Sequence, residues 1–476
     1  MERLKNYING ASVDPQSGSY SEVVDPSTGK AYLEAPLSNS DDVAAAVAAA
    51  KAAFPAWRAL TPGERSLILF RAADALEARA DDIVSAESRN TGKPLHIMRD
   101  VEFPGIVDHF RFYAAAAREL RGLASGRFAP GHESSMRREP LGVCAGVSPW
   151  NYPLNMSLWK FGPAIAAGNT MVLKPSDTTP VTSVMAAEIL GDVLPKGVLN
   201  VVVGDRDTGR LLVTHPDVVH VSVTGSTRAG KEVAAAVAPS LTRVSLELGG
   251  KAPVLVFGDV DVQSTVDSIA EVSFFNAGQD CEAACRLLVA DEIYDEFVAA
   301  FVRRALATTY GAPDKEVDYG PLNSEAHLDK VSGFMADLPA HAVVHCGGQP
   351  DRSGGGFYFP PTVITGVRQD DRIVQEEVFG PVVTIQKFSD ESEAVELANN
   401  VQYGLAAGLW THNHERVLRV ADELDFGKVW VNCHLVVAAE MPNNGYKHSG
   451  YGNDMSVYSI EEYTRMKHVM SAVGKV

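Results

Sequence analysis

The sequence predicts an α/β protein built on a parallel, doubly wound sheet. Short apolar runs recur along the chain, helical stretches fit between several of them, and 476 residues are too many for one compact core. Two or three domains are expected from the length.

The elements follow in order. Asn6 to Val13 and Ser21 to Gly29 read as short strands broken by turns. Ser40 to Lys51 reads as a capped, Ala-rich helix, and helical patterning continues to about Gly122. Val143 to Ser148, Thr170 to Leu173, Leu199 to Val203, Val219 to Thr224 and Ala252 to Phe257 are candidate strands. Pro180 to Leu194 and Ala229 to Ala238 are helices between them. Val262 to Asn276 and Glu292 to Thr309 read as further helices. Together with Ile373 to Gln375, Val382 to Phe388, Gly408 to Trp410 and Lys428 to Asn432 they complete a second α/β unit. Ser459 to Val476 has strand-like apolar character without a core of its own, so it is expected to pair elsewhere in the molecule or with another subunit.

Composition narrows the function. The chain is 46% hydrophobic and 21% charged, which is globular rather than disordered. A net charge of −18 without a Lys/Arg-rich run disfavours nucleic acid as a partner. No apolar stretch is long enough for a membrane span and no signal-peptide pattern opens the sequence. The five cysteines, Cys144, Cys281, Cys285, Cys346 and Cys433, are scattered without a zinc-like spacing. The expectation is a cytoplasmic chain with reduced thiols and no metal.

Five motifs carry the chemistry. Cys281 follows a Gly-Gln-Asp turn after a helical run, a setting that can expose and ionise a thiol. Taken alone it reads rather as a buried, inert cysteine, as most free cysteines are. Glu247 lies between two leucines and before Gly249-Gly250-Lys251, and apolar surroundings raise a carboxyl toward the range of a general base. Asn151 stands at the carboxyl end of an apolar strand, where ligands of open α/β sheets bind, and its amide can donate to an oxyanion. Thr224-Gly225 to Gly230-Lys231 follows a strand and opens a helix, where backbone amides can approach a diphosphate. Lys174 to Asp177 follows another strand and can bind ribose hydroxyls.

In this order, with Glu376-Glu377-Val378-Phe379-Gly380-Pro381 and the closing Met441 to Gly452 and Tyr463 to Val469, the motifs resemble the aldehyde dehydrogenase superfamily from about Tyr7 to Val469. The resemblance implies a Rossmann-like NAD-binding domain (residues 1–122 and 142–246), a catalytic α/β domain (247–440) and β oligomerisation segments (123–141 and 455–476). It implies Cys281 as nucleophile, Glu247 as the base that hydrolyses the thioester, and Asn151 with the Cys281 N–H as oxyanion donors. Lys174 joins the catalytic set by the same resemblance. Implied NAD ligands are Lys174, Ser176 and Asp177 at the adenosine ribose, Gly225, Ser226 and Gly230 at the diphosphate, and Ser148, Trp150 and Gly209 lining the site. Leu248, Glu377 and Phe379 are implied around the nicotinamide and its ribose. The Asp177 carboxylate would repel a 2′-phosphate, which favours NAD over NADP. A homodimer or homotetramer is expected.

The detail is closest to γ-aminobutyraldehyde dehydrogenases. Asn276-Ala-Gly-Gln-Asp-Cys281, Gly250-Lys-Ala-Pro-Val254 and Gly105 to Tyr113 carry that resemblance. An inward carboxylate near the last stretch would hold a substrate ammonium, with Asp108 the first candidate and Glu102 the second. Tyr152 and Trp159 match aromatic positions of the substrate tunnel, and their spacing suits one helix face. Glu282 after the nucleophile, Leu435, and Asn443-Asn444 depart from the branch pattern, and these residues are expected to alter the pocket. A guanidino-, amide-bearing, betaine-type or uncharged aldehyde therefore stays open beside an ω-aminoaldehyde. Two other classes compete. A cysteine hydrolase would need a His motif near Cys281, and none of the thirteen histidines forms one. A catalytically silent member of the fold would be expected to lose Cys281, Glu247 or Asn151, and all three are present.

Overall fold

A computed structural model describes residues 1–119, 122–123 and 125–473. Leu120, Arg121 and Ala124, and residues 474–476, lie outside the described residues, and with them parts of the expected first domain and of both oligomerisation segments.

Two large sheets organise the described chain. The first runs in the order Gly450–Tyr451, Arg243–Leu248, Val218–Gly225, Val143–Val147, Thr170–Lys174, Leu199–Val201, Asn6–Ile8, Ala11–Val13. Its five central strands are parallel, and the strands at the two ends pair antiparallel. Runs such as Thr170–Lys174 are buried throughout, as a sheet covered on both faces requires. The hairpin Asn6–Ile8/Ala11–Val13 turns on Asn9 and Gly10, both at positive φ (54° and 76°), the conformation of an Asn-Gly hairpin turn.

The second sheet runs Val343–Cys346, Thr362–Thr365, Val382–Phe388, Arg286–Ala290, Pro253–Val256, Ala406–Trp410, Lys428–Val431. All of its pairs are parallel except that of Val343–Cys346. The expected strand and helix order therefore holds. Ile373 to Gln375 falls in a single helical turn, Arg372–Gln375. The cap of the Ala-rich helix is Asn39 rather than Ser40: its side chain accepts from Asp41 N and Asp42 N, and the Asp42 carboxylate accepts from Asn39 N.

A small antiparallel sheet joins distant parts of the chain. Thr464–Ala472 pairs with His132–Pro140, which pairs with Gly126–Ala129. The tail is thus a strand only from Thr464. Ser456–Glu462 before it is a helix, and Ile460 and Tyr463 are buried in the core of the first α/β unit.

Candidate active site

The site forms where loops at the carboxyl ends of the first sheet meet the segment leading into the second. Glu247 is the fifth residue of Arg243–Leu248, in register with Thr224 of the neighbouring strand. Thr224 Oγ1 donates to Glu247 Oε2 at 2.9 Å. Cys281 lies between the helix Val262–Phe274 and the strand Arg286–Ala290. Its Sγ donates to Glu247 Oε1 at 3.2 Å. The two residues that sequence motifs placed 34 positions apart are in direct contact.

Burial sets their proton affinities. It pushes the Glu247 carboxyl up to about 7, against the opposing pull of the Lys160 ammonium. It also pushes the Cys281 thiol well above its ordinary range, with the Glu247 charge adding to the effect. At rest the thiol holds the proton and the carboxylate accepts from it. Lys160 and Asp454 form a buried ion pair behind Glu247.

Asn151 follows the strand Val143–Val147, and one hydrogen of its Nδ2 goes to Gln279 O at 3.0 Å. The other remains for a ligand oxygen. The loop before Cys281 bends sharply: Asn276, Ala277 and Gly278 all have positive φ. At Gly278 any side chain would strike the backbone carbonyl of Gly380.

One cavity of about 650 Å³ is shared by these groups. Asn151, Glu247 and Cys281 line it, as do Trp150, Gly225, Ser226, Leu248, Glu377 and Phe379. Glu102, Tyr152, Trp159, Glu282, Leu435 and Asn443 line it too. Trp150 packs edge-on against His327 and Phe379, and Glu377 accepts from Gly250 N at 2.8 Å. Glu282 pairs with Lys428 at 3.0 Å, so the acidic residue beside the nucleophile is neutralised from outside the cavity. Asn443 is tied by two backbone hydrogen bonds of 2.8 Å to Asp454.

Several expected residues lie elsewhere. Asp108 is exposed and does not line the cavity. Gly105 and His109 occupy that face of the helix Phe103–Ala116, and Asp108 sits about 100° round from His109. Glu102 reaches the cavity, but its carboxylate is paired with Lys93 at 2.7 Å. Lys174 is not beside Cys281: it is buried at a strand end, where its Nζ donates to Gly204 O at 2.6 Å. A Cβ on Gly209 would stand 3.4 Å from the Lys174 Cδ, so those two belong to one neighbourhood, next to the exposed Asp177 and the half-buried Ser176. Ser148 is turned inward, its Oγ 3.0 Å from Ser157 Oγ. Gly230 is buried beneath Leu248, and a Cβ there would lie 2.5 Å from Leu248 Cδ1. Its smallness serves helix-on-strand packing rather than an open approach. Gly230→Ala should therefore displace Leu248 and cost about 1–3 kcal/mol, read as a lowered melting midpoint in denaturant.

Gly225 is different. A Cβ added there meets nothing closer than Ala229 Cβ at 4.0 Å. Ser226 caps the helix Thr227–Val237 by accepting from Ala229 N at 3.2 Å. An open glycine before a helix N-terminus is a seat for a phosphate. Sequence reading missed His109, Asn155, Glu271 and His434, all of which line the cavity. Glu271 is an exposed carboxylate on the helix that leads to Cys281. Helical position relative to Cys281 was the signal that could have found it.

Among the described residues no His/Cys/Asp/Glu group is arranged to hold a metal, and no helix is long and apolar enough to cross a membrane. All five cysteines are unpaired.

Comparison with known proteins agrees with this geometry. The sequence profile of the "Aldehyde dehydrogenase family" matches residues 13–469. PnpE from Pseudomonas sp. WBC-3 is 38% identical, with 100% of this chain and 99% of that one covered and a TM-score of 0.97. An NAD-dependent aldehyde dehydrogenase from Sinorhizobium meliloti is 36% identical over 100% and 96%, TM-score 0.97. A betaine aldehyde dehydrogenase from Staphylococcus aureus, solved in complex with NAD+, is 33% identical over 99% and 96%, TM-score 0.96. With its cysteine and glutamate in contact across a shared cavity, and its whole length matched, the chain belongs to the aldehyde dehydrogenase family.

Proposed function

We propose that the chain, an NAD-dependent aldehyde dehydrogenase, oxidises an ω-aminoaldehyde such as 4-aminobutanal to its carboxylic acid. The observation that carries the chemistry is the Cys281–Glu247 contact of 3.2 Å at the wall of the cavity. Cys281 loses its proton toward Glu247 and adds to the aldehyde carbon, and the free hydrogen of Asn151 Nδ2 meets the oxyanion. NAD, when bound, accepts the hydride. Glu247, once it has released the thiol proton to solvent, takes a proton from water, which attacks the Cys281 thioester and releases the acid, the sulfur regaining a proton. The residues present fit that cofactor: the open Gly225 and the Ser226-capped helix suit its diphosphate, and Trp150, Leu248, Glu377 and Phe379 continue the same cavity toward Cys281. Lys174, Ser176 and Asp177 would take the adenosine ribose from the adjacent strand end. The protein would work as a cytoplasmic homodimer or homotetramer, with Gly126–Ala129, His132–Pro140 and Thr464–Ala472 at the interface.

The substrate assignment rests on acidity at the cavity. Glu271 carries an exposed carboxylate there, whereas Glu102 and Glu282 are already ion-paired with Lys93 and Lys428. Glu271 takes the role first expected of Asp108. Glu271→Gln should raise KM for 4-aminobutanal about 2–5-fold at low salt, leave kcat alone, and leave butanal unaffected. A panel of 4-aminobutanal, 4-guanidinobutanal, betaine aldehyde and butanal tests the assignment. A higher kcat/KM for 4-aminobutanal supports it, and equal or better turnover of butanal contradicts it.

A further inference from the structure

Three side-chain hydrogen bonds join the two segments that hold the reacting groups: Asn151 Nδ2 to Gln279 O, Asn276 Nδ2 to Asn151 O, and one made by Tyr152. Tyr152 directly follows Asn151, and Asp280 directly precedes Cys281. The Tyr152 hydroxyl donates to Asp280 Oδ2 at 2.6 Å. The other carboxylate oxygen, Oδ1, accepts from Glu282 N at 2.7 Å. Asp280 therefore grips the chain on both sides of Cys281 while Tyr152 grips Asp280.

The tyrosine is itself held. The Lys93 ammonium lies 3.9 Å from the centre of its ring, and Lys93 is only 2% exposed and is paired with Glu102. Cation and ring attract each other more strongly away from water. Burial, with the nearby Asp280 charge, raises the Tyr152 hydroxyl far above its usual range, so it stays a donor wherever the enzyme works.

The loop needs such a hold. Asn276 and Ala277 sit at φ 50° and 58°, a region that side chains resist, and residues so placed persist only when their surroundings over-determine them. Asn276 Nδ2 donates to Asn151 O at 3.1 Å, so the strained turn is itself tied to the Asn151 segment.

We propose that Tyr152 is a positioning residue: its hydroxyl, bonded to Asp280, staples the Asn151 segment to the Cys281 segment and fixes the spacing between oxyanion donor and thiol. The ring still lines the cavity, so Tyr152 serves the pocket wall with its face and the staple with its oxygen. The staple rests on the roles proposed above for Cys281 and Asn151.

The test uses the full-length enzyme. Tyr152→Phe removes one oxygen atom and keeps the ring on Lys93. It should lower kcat about 10–100-fold, the scale of misplacing a reacting group by an ångström. The KM values for NAD and aldehyde should stay within about 3-fold. Asp280→Ala should lower kcat comparably, and the double variant should be no slower than Asp280→Ala alone, because both remove the same bond. Asp280→Asn, which keeps an acceptor for the hydroxyl, should recover much of the loss. Independent, multiplying effects of the two substitutions would overturn the proposal. So would a Tyr152→Phe enzyme, melting like wild type, with unchanged kcat or a change in aldehyde KM alone. A wild type without aldehyde-dependent NADH formation would instead overturn the functional reading on which the staple rests.

Discussion

Cys281→Ala protein should form no aldehyde-dependent NADH, a loss of about 10⁶-fold if it matches the deletion of other covalent nucleophiles. Three physical facts make the effect this large. The thiol is the group positioned against Glu247, at 3.2 Å. Cys285, the other cysteine nearby in sequence, is directed elsewhere: its charge neighbours are Lys251, Arg286 and Glu377 rather than Glu247. The substitution removes only a sulfur atom from a wall of the cavity, so the fold and cofactor binding should survive. NAD affinity by fluorescence titration, unchanged in the variant, separates lost chemistry from lost structure. NADH formation at even a hundredth of the wild-type rate would mean that another group attacks the aldehyde.

Glu247→Gln should leave a different signature. The carboxylate accepts the Cys281 proton before attack and activates water after hydride transfer. A glutamine keeps the shape and the Thr224 contact but cannot take a proton. Loss of a positioned general base costs about 10²–10⁴-fold. The thiolate, once formed, is a strong nucleophile by itself, so acylation should suffer less than hydrolysis. The variant should therefore give a burst of one NADH per active site followed by a slow steady state. The pH dependence has a definite sign. Burial raises the Glu247 carboxyl to about 7, and the ionised form is the working base. Wild-type kcat/KM should fall as pH drops through about 7, and this limb should be missing from Glu247→Gln. A wild-type profile flat from pH 5 to 8 would contradict the assignment.

What the sequence revealed depended on whether a role is carried by residue type in a motif or by direction in space. Cys281, Glu247 and Asn151 were legible because their neighbours are also specific, and the structure brings Cys281 and Glu247 into contact with Asn151 on the same cavity. The two sheets were legible because fully buried parallel strands read as continuous apolar runs. Directions were harder. Asp108 and Glu271 are both carboxylates on helices near the site, and only one faces the cavity. A turn of about 100° per residue decides the matter, and the motif does not record where the cavity lies. Glycines show the same limit. Gly225 and Gly230 share one motif, yet Gly225 is open while Gly230 lies under Leu248. Ser148 stands near a functional strand end but turns its hydroxyl to an internal partner, whereas Lys174 uses one of its three donors on Gly204 O and keeps the others. Tyr152 was read as an aromatic wall, and its tie to Asp280, 128 positions away, needed the fold to be seen.

The departures near the tunnel resolve in a similar way. Glu282 was expected to alter the pocket. Its pairing with Lys428 removes much of its net charge, and burial raises its carboxyl. Asn443 lines the cavity from a segment fixed to Asp454, whose own carboxylate holds Lys160 behind Glu247. Substrate wall and base are thus mechanically connected through one aspartate.

The most direct measurement is the mass of the Cys281-containing peptide from Glu247→Gln enzyme, acid-quenched during turnover with NAD and 4-aminobutanal. A thioester on Cys281 requires that peptide to carry the added acyl mass at one equivalent per active site, matching the NADH burst. An unmodified Cys281 peptide despite a full NADH burst, or an acyl group on another residue, would contradict it.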